Sequence, residues 1–369
     1  MQSRILILSA QSAKSTSAYT FRVMNLARLL EERGFHCDYF FMEDHWPLDT
    51  ETTRSFFMPL WLKKLREYDL IYCGAAEAAQ ALFFTRILMP GLIMMDMHGD
   101  VVSQSAQTKA LMTGGRKTSP SFRVWLLYKM SMATCHHFIT QSVYQMEDLI
   151  KEGAGKNNVS VVRNGVDLNL FRFLEMPESP EFPIGYIGTF HTWQGTEYLF
   201  EAIGRMKNKH ARILLVGFGE YEADWKEAFR NTYGDRVELL DKMDRALMVE
   251  KMKSVGVLMS PRPPHIASRA AFPTKFAEYA SLGRPVLVTD VDETAEYVRR
   301  YDCGFVCEAS SEDLARAMDE AVQTPHETLA QMGLNARNMA KKNFAWEKIG
   351  DDYAGLVTNL LSTWRKRRY

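Results

Sequence analysis

An excess of either charge sign is the first thing this sequence lacks. Lysine plus arginine and aspartate plus glutamate each number 45 in 369 residues, so the formal net charge is zero. Nucleic acid is therefore not the expected partner, because its binding needs a basic surface. Cysteine is scarce. Cys37, Cys73, Cys135, Cys303 and Cys307 are scattered, and only the last two are close. With no nearby histidine, that pair is a poor zinc pattern. The odd count and the lack of a signal peptide fit a reducing cytosol. Long apolar runs are missing too. The longest candidate, residues 81–97, is interrupted by Arg86, Pro90-Gly91 and Asp96, so no membrane-crossing helix is expected. Neither G-x-G-x-x-G after the first strand nor G-x-x-x-x-G-K-[ST] occurs, which disfavours a classical dinucleotide fold and a P-loop nucleotidase. The nearest lookalike, Gly217-Phe218-Gly219-Glu220, lacks the third glycine.

What is present is alternation. Short apolar runs at residues 4–9, 36–41, 69–73, 92–97, 137–140 and 159–162 read as strands, with helical patterns at 19–33, 76–88, 122–134 and 143–152 among them. Such alternation predicts a parallel, doubly wound α/β sheet. It pauses at residues 174–183, LEMPESPEFP, the best linker in the chain. It then restarts with runs at 184–187, 213–216, 237–240, 257–259, 286–289 and 304–307. The expected organisation is two tandem αβ domains, residues 1–173 and 174–345, each of typical size. Three helices follow Glu312, the last from Trp346 to about Leu361 with a WRKRRY tail.

The chain is organised around residues 272–290, FPTKFAEYASLGRPVLVTD. Pro273 and Thr274 are helix-start residues, with Thr274 as the expected N-cap. Phe276, Tyr279 and Ala280 give one apolar helix face, and Gly283 stops the helix before a buried strand. A helix start beside Lys275 is a natural anion site, and Glu278, one turn on, can accept hydrogen bonds from sugar hydroxyls. An ordinary αβ unit with an exposed Lys and Glu would carry the same residues.

This stretch resembles the donor-binding motif of GT-B-type retaining glycosyltransferases, especially family 4. VVRNGVDLNLF, residues 161–171, is similar to that family's hinge signature, and NFAWEKIGDDYAGLV, residues 343–357, to its end. The resemblance spans nearly the whole chain. It implies two Rossmann-like domains facing a central cleft, with the acceptor bound by residues 1–173 and a nucleotide-diphosphate sugar by residues 174–345. The final helix, 346–369, would cross back to the first domain. Transfer would occur with retention, the leaving phosphate taking the acceptor proton, so no protein nucleophile, cofactor or metal is implied.

Carried over residue by residue, the resemblance assigns donor contacts to Gly188, Thr189, Gln194, Gly217, Arg262, Phe272, Pro273, Thr274, Lys275 and Glu278. Of two glutamates with seven residues between them in many members, only Glu278 is kept; the other falls on Ala270. Two cations that hold the donor diphosphate in the family fall on Thr189 and Gln194, so both are missing here. Lys275, Arg262, Arg269 and His191 are the candidates to replace them. Asp96-Met97-His98-Gly99-Asp100 resembles the family motif whose histidine reaches the transferred sugar, which makes His98 the expected sugar contact. Asp96 and Asp100 would orient its imidazole or bind acceptor hydroxyls, and Asn164 lies on the acceptor side. The expected catalytic group is thus His98, Lys275 and Glu278. Residues 116–129 mix cations with Trp125, Leu126, Leu127 and Tyr128, either a membrane-interfacial surface or one helix with an inward face; residues 365–368 would add to the former. The expected place is the cytoplasm, with peripheral contact at the inner face of the membrane. Two further readings stay open: a binding or scaffold protein that lost catalysis, and a nucleotide-sugar epimerase of the same fold.

Overall fold

The computed structural model describes residues 2–15, 18–45, 64–97, 122–190, 194–218 and 223–367. They divide into two compact units, residues 1–164 with 347–369 and residues 165–346.

In the first unit the chain runs β1 (Arg4–Ser9), α1 (Ala18–Glu31), β2 (His36–Phe41), β3 (Leu70–Cys73), α2 (Ala76–Ala81), β4 (Leu92–Asp96), α3 (Phe122–Thr134), β5 (His137–Thr140), α4 (Val143–Lys151) and β6 (Val159–Val161). The strands form one six-stranded sheet in the order β2-β1-β3-β4-β5-β6, with every pair parallel. A parallel sheet is covered on both faces, so its inner strands are apolar without alternation. β3 (LIYC) and β4 (LIMMD) are buried at every position, whereas in the edge strand β2 only Cys37 and Phe41 are buried. The helical pattern at residues 76–88 breaks after Ala81, and only a short 3₁₀ turn, Arg86–Leu88, follows.

The second unit runs β7 (Phe182–Ile187), α5 (Thr196–Arg205), β8 (Ile213–Phe218), α6 (Ala223–Tyr233), β9 (Val237–Asp241), α7 (Arg245–Met252), β10 (Val255–Ser260), α8 (Ile266–Ala270), α9 (Thr274–Ser281), β11 (Val286–Thr289), α10 (Glu293–Tyr301), β12 (Gly304–Cys307), α11 (Ser311–Gln323) and α12 (His326–Phe344). Its parallel sheet has the order β12-β11-β10-β7-β8-β9. The core centres on Phe272, Phe276, Tyr297 and Phe344, whose rings meet edge-on or tilted at 5.0–6.3 Å.

The division falls before Gly165, upstream of the expected 173/174 boundary. Val166 and Phe171 are buried in the second unit's core, and Val166 bridges to Ala345. The Pro-rich stretch is also held to this unit. Leu174 N donates to Leu282 O, and Arg284 Nη1 donates to the carbonyls of Leu174 and Glu175. The last helix, α13 (Trp346–Lys366), returns to the first unit. There Trp364 Nε1 donates to Pro90 O at 2.9 Å, Arg33 Nε donates to Asp351 Oδ1 at 2.9 Å, and Tyr353, Val357 and Leu361 are buried.

Candidate functional site

In an open αβ sheet, ligands bind beyond the strand carboxyl ends where the strand order reverses. In the second unit that point lies between β7 and β10. The loops leaving β7, β8 and β10 are in backbone contact there. Gly188 N donates to Val216 O at 3.0 Å. Gly217 has φ +120°, and a Cβ on it would lie 2.0 Å from Gly188 O. Gly195 has φ +77°, and a Cβ would lie 1.5 Å from Pro261 O. Only glycine allows these approaches.

Lys275, in the first turn of α9, reaches into this loop cluster. Its Nζ donates to Tyr186 Oη at 3.0 Å and to Gln194 Oε1 at 2.9 Å, and it lies 4.4 Å from the centre of the Tyr186 ring. A Cβ on Gly188 would come within 2.7 Å of the same nitrogen. The ammonium therefore occupies the ground between Gly188 and Gln194, where the sequence lacks a cation. Burial pushes the Lys275 pKa down to about 7; the nearby Arg262 charge adds to this and Glu278 opposes it. Glu278 is one turn further along α9, with 15% of its side chain exposed, and Arg245 Nη2 lies 3.8 Å from its Oε1. Burial raises its pKa, against the pull of Arg245 and Lys275.

Several expected donor contacts have other roles. Arg262 is buried and ion-pairs through Nη1 with Asp292 Oδ2 at 2.8 Å, while Nη1 also donates to Ala271 O. It braces the loops after β10 and α8. Phe272 belongs to the aromatic core, at 3% exposure. Pro273, not Thr274, stands at the N-cap of α9, and no side chain caps the helix. The first-turn N–H groups thus receive no side-chain cap. Thr189 is exposed, and its carbonyl accepts from Tyr186 Oη at 3.0 Å. Arg269 is exposed. His191 lies outside the described residues. Tyr186 and Arg245 were not singled out from the sequence. Each is far along the chain from the residue it meets, and nothing in local pattern signals the contact.

In the first unit, Asp96 ends β4 fully buried. Arg22 binds it with two hydrogen bonds, Nε to Oδ2 at 2.8 Å and Nη2 to Oδ1 at 3.1 Å, and Tyr72 Oη donates to Oδ2 at 2.5 Å. Arg22 also donates to Asn164 Oδ1 at 2.9 Å and to Val162 O at 2.7 Å. Asn164 Nδ2 passes the chain on to Gln141 Oε1 at 3.1 Å. Burial and the neighbouring Asp96 charge raise the Tyr72 pKa well above its ordinary value. The Asp96 carboxylate faces the interior and locks β4 to α1. His98 and Asp100 lie outside the described residues. Where the strand order of this sheet reverses, between β1 and β3, a pocket of about 570 Å³ is lined by Gln11, Tyr19, Met42, Glu43 and Glu77, among others. Among the described residues, no group of three or more His, Cys, Asp or Glu side chains could hold a metal ion.

Residues 181–324 match the family described as Glycosyl transferases group 1. The match covers the β7–β10 loop cluster, Lys275 and Glu278. Over 180 residues the chain is 25% identical to N-acetyl-alpha-D-glucosaminyl L-malate synthase of Bacillus anthracis, 48% of this chain and 45% of that protein. Over 193 residues it is 25% identical to glycogen synthase of Chlorobium luteolum, 48% of this chain and 36% of that protein. The chain thus spans less than half the length of either relative. Among solved structures, sucrose-phosphate synthase from Thermosynechococcus elongatus superposes with a TM-score of 0.74 at 17% identity, covering 98% of this chain and 100% of that one. Anabaena Alr3699/HepE in complex with UDP and glucose superposes with a TM-score of 0.69 at 17% identity, covering 97% and 100%. The fold is GT-B, with two Rossmann-like units. The chain is similar to group 1 glycosyltransferases, and the residues matched to that family lie in its second unit.

Proposed function

We propose that the chain transfers a sugar from a nucleotide-diphosphate sugar to a carbohydrate or glycolipid acceptor, with retention at the anomeric carbon. The observation that carries this reading is the Lys275 ammonium between Gly188 and Gln194. A departing diphosphate needs its charge met by preorganised groups, commonly the largest catalytic contribution. Lys275 and the N–H groups at the start of α9 supply it from one direction. Glu278 accepts from the ribose hydroxyls, exchanging its contact with Arg245 for them. The leaving phosphate takes the acceptor proton on the same face of the sugar, and no protein nucleophile is needed. His98 contacts the sugar and Asp100 the acceptor. The β1–β3 pocket, with Tyr19, Gln11 and two carboxylates, suits hydroxyl groups, and the acceptor binds there. The match to a group 1 family and the UDP held by Alr3699/HepE support a nucleotide-sugar donor.

The test is thermal shift against a panel of nucleotide sugars, then turnover with the donor that binds. A ligand at about 100 times its Kd adds roughly 2.7 kcal/mol. Nucleotide released only with an acceptor present supports transfer. Product without acceptor would make the chain an epimerase. Binding with no turnover would make it a scaffold, the reading that Thr189 and Gln194 favour.

A peripheral membrane contact is part of this proposal. α3 exposes Phe122 at 73%, Trp125 and Leu126, with Arg123 and Lys129 beside them. The stretch after α2 exposes Phe84 at 84% and Ile87 at 91%, next to Arg86. The two helices pack together through Ser131 Oγ, which donates to Ala76 O at 3.1 Å. Apolar side chains flanked by cations fit an anionic lipid surface at the inner face of a membrane in the cytoplasm. Among the described residues no helix is long and apolar enough to cross a membrane. Residues 116–121 and Arg368 lie outside the described residues. Co-sedimentation with phosphatidylglycerol vesicles, lost in Ile87→Ser/Phe122→Ser, checks the contact.

A further inference from the structure

We propose that Tyr186 is the positioning residue of the site, holding the Lys275 ammonium against the backbone of the Gly188–Thr189 loop. The inference rests on the reading of Lys275 as the cation that meets the donor diphosphate.

Tyr186 lies on β7, a central strand paired with β8 on one side and β10 on the other, and it is fully buried. Its hydroxyl has one proton, which goes to Thr189 O at 3.0 Å. A lone pair is then left to accept from Lys275 Nζ at 3.0 Å, so both roles of the oxygen are fixed. The ring face lies under the ammonium, 4.4 Å from centre to nitrogen, where its quadrupole favours a cation. The ring itself is immobilised by Phe190, with centroids 5.2 Å apart, and Phe190 stacks on Phe200 at 5.7 Å. Gln194 Oε1 closes a further side, and Gly188 leaves the space that any Cβ would fill.

A lysine side chain has four flexible bonds and about 2 kcal/mol of rotamer entropy, so a free one is a poor preorganised donor. Tyr186 removes that freedom. It also ties the ammonium to the loop that carries Thr189, so both meet the diphosphate as one unit. The other charged groups bearing on Lys275 are Arg262 after β10 and Glu278 on α9, with Arg245 of α7 facing Glu278. Arg262 disfavours the ammonium and Glu278 favours it. Tyr186 adds a neutral acceptor and a ring face, which stabilise the charged form without competing with a phosphate.

Tyr186→Phe keeps the ring and removes the oxygen. The first readout needs no ligand. NMR titration of the Lys275 side chain in the full unliganded chain should show its midpoint fall by at least about half a pH unit, since a hydrogen bond to the charged form is lost. The second is the ratio of UDP to UMP affinity at pH 8, where both phosphates are fully ionised. It should fall about tenfold in the variant, because only the diphosphate reaches the ammonium. Should Tyr186→Phe not fold, 3-fluorotyrosine at position 186 weakens the same acceptor at nearly constant size and should move both readouts the same way. An unmoved midpoint overturns the role of Tyr186 and leaves the sugar-transfer reading standing. A moved midpoint with an unchanged UDP to UMP ratio overturns the positioning role for the reaction. A wild type that binds neither nucleotide better than the other overturns the reading of Lys275 beneath it.

Discussion

At the scale of the residue, a single ammonium with low proton affinity makes the charge of the site conditional on pH. Lys275 in the unliganded chain has a pKa of about 7. A bound diphosphate stabilises the charged form and raises that value. The bound form thus holds more protons than the free form from about pH 7 up to the bound pKa. Affinity for an intact nucleotide sugar should be flat below pH 7 and fall by up to tenfold per pH unit above it. Calorimetry at pH 8 in buffers of different ionisation heat should register proton uptake on binding, and Lys275→Ala should register none. Equal heats in all buffers for the wild type would sink this account. Glu278 makes a separate prediction. Glu278→Ala should weaken donor binding by about 1.5–3 kcal/mol, the range for a hydrogen bond to a charged group. Unchanged affinity would leave Glu278 as the partner of Arg245 and nothing more. The sequence brought both residues forward through the PTKFAEY stretch, but it could not show that Lys275 bends back over Gln194. That contact joins residues 81 apart, and side-chain direction at such separation is set by packing.

At the scale of the element, glycines decide whether the loops of the second unit can meet. Gly217→Ala would place a methyl 2.0 Å from Gly188 O at a φ of +120°. It should destabilise the second unit by at least about 2 kcal/mol and weaken nucleotide binding with it. A denaturation midpoint equal to the wild type would contradict the backbone contact. In the first unit, the buried Arg22–Asp96 pair ties α1 to β4. Arg22→Met leaves Asp96 with a buried charge and should cost about 3–5 kcal/mol by urea denaturation; a cost below about 1 kcal/mol would mean that the pair is not needed for the fold. Strands were the most legible part of the sequence, because a parallel sheet buried on both faces writes itself as short apolar runs. β1, β2, β5, β11 and β12 lie at the residues expected. The helix at 76–88 was misjudged because its apolar pattern continues through Phe84 and Ile87, which are exposed. Apolar periodicity marks a face and does not say whether anything covers it. The contact of Asp96 with Arg22, 74 residues earlier, is not legible in the sequence either, because packing alone brings α1 against β4.

At the scale of the whole molecule, the two units divide the chain at residue 164/165 and again at 346/347, so that the terminal helix belongs with the first unit. The parallel, doubly wound character of both sheets is predictable from alternation; their strand order is not. The exact boundary was not, because Val166 and Phe171 belong to a core whose other members come from residues 182–344. The central claim is that this GT-B chain moves a sugar from a nucleotide-diphosphate sugar and that Lys275 meets the charge of the leaving group. Its most direct test is the rate of nucleoside diphosphate release, measured with donor and acceptor for the wild type, Lys275→Ala and Gln194→Ala. The account predicts acceptor-dependent release by the wild type, a loss of at least about a hundredfold in Lys275→Ala, and a much smaller loss in Gln194→Ala. Release by Lys275→Ala at the wild-type rate would contradict it.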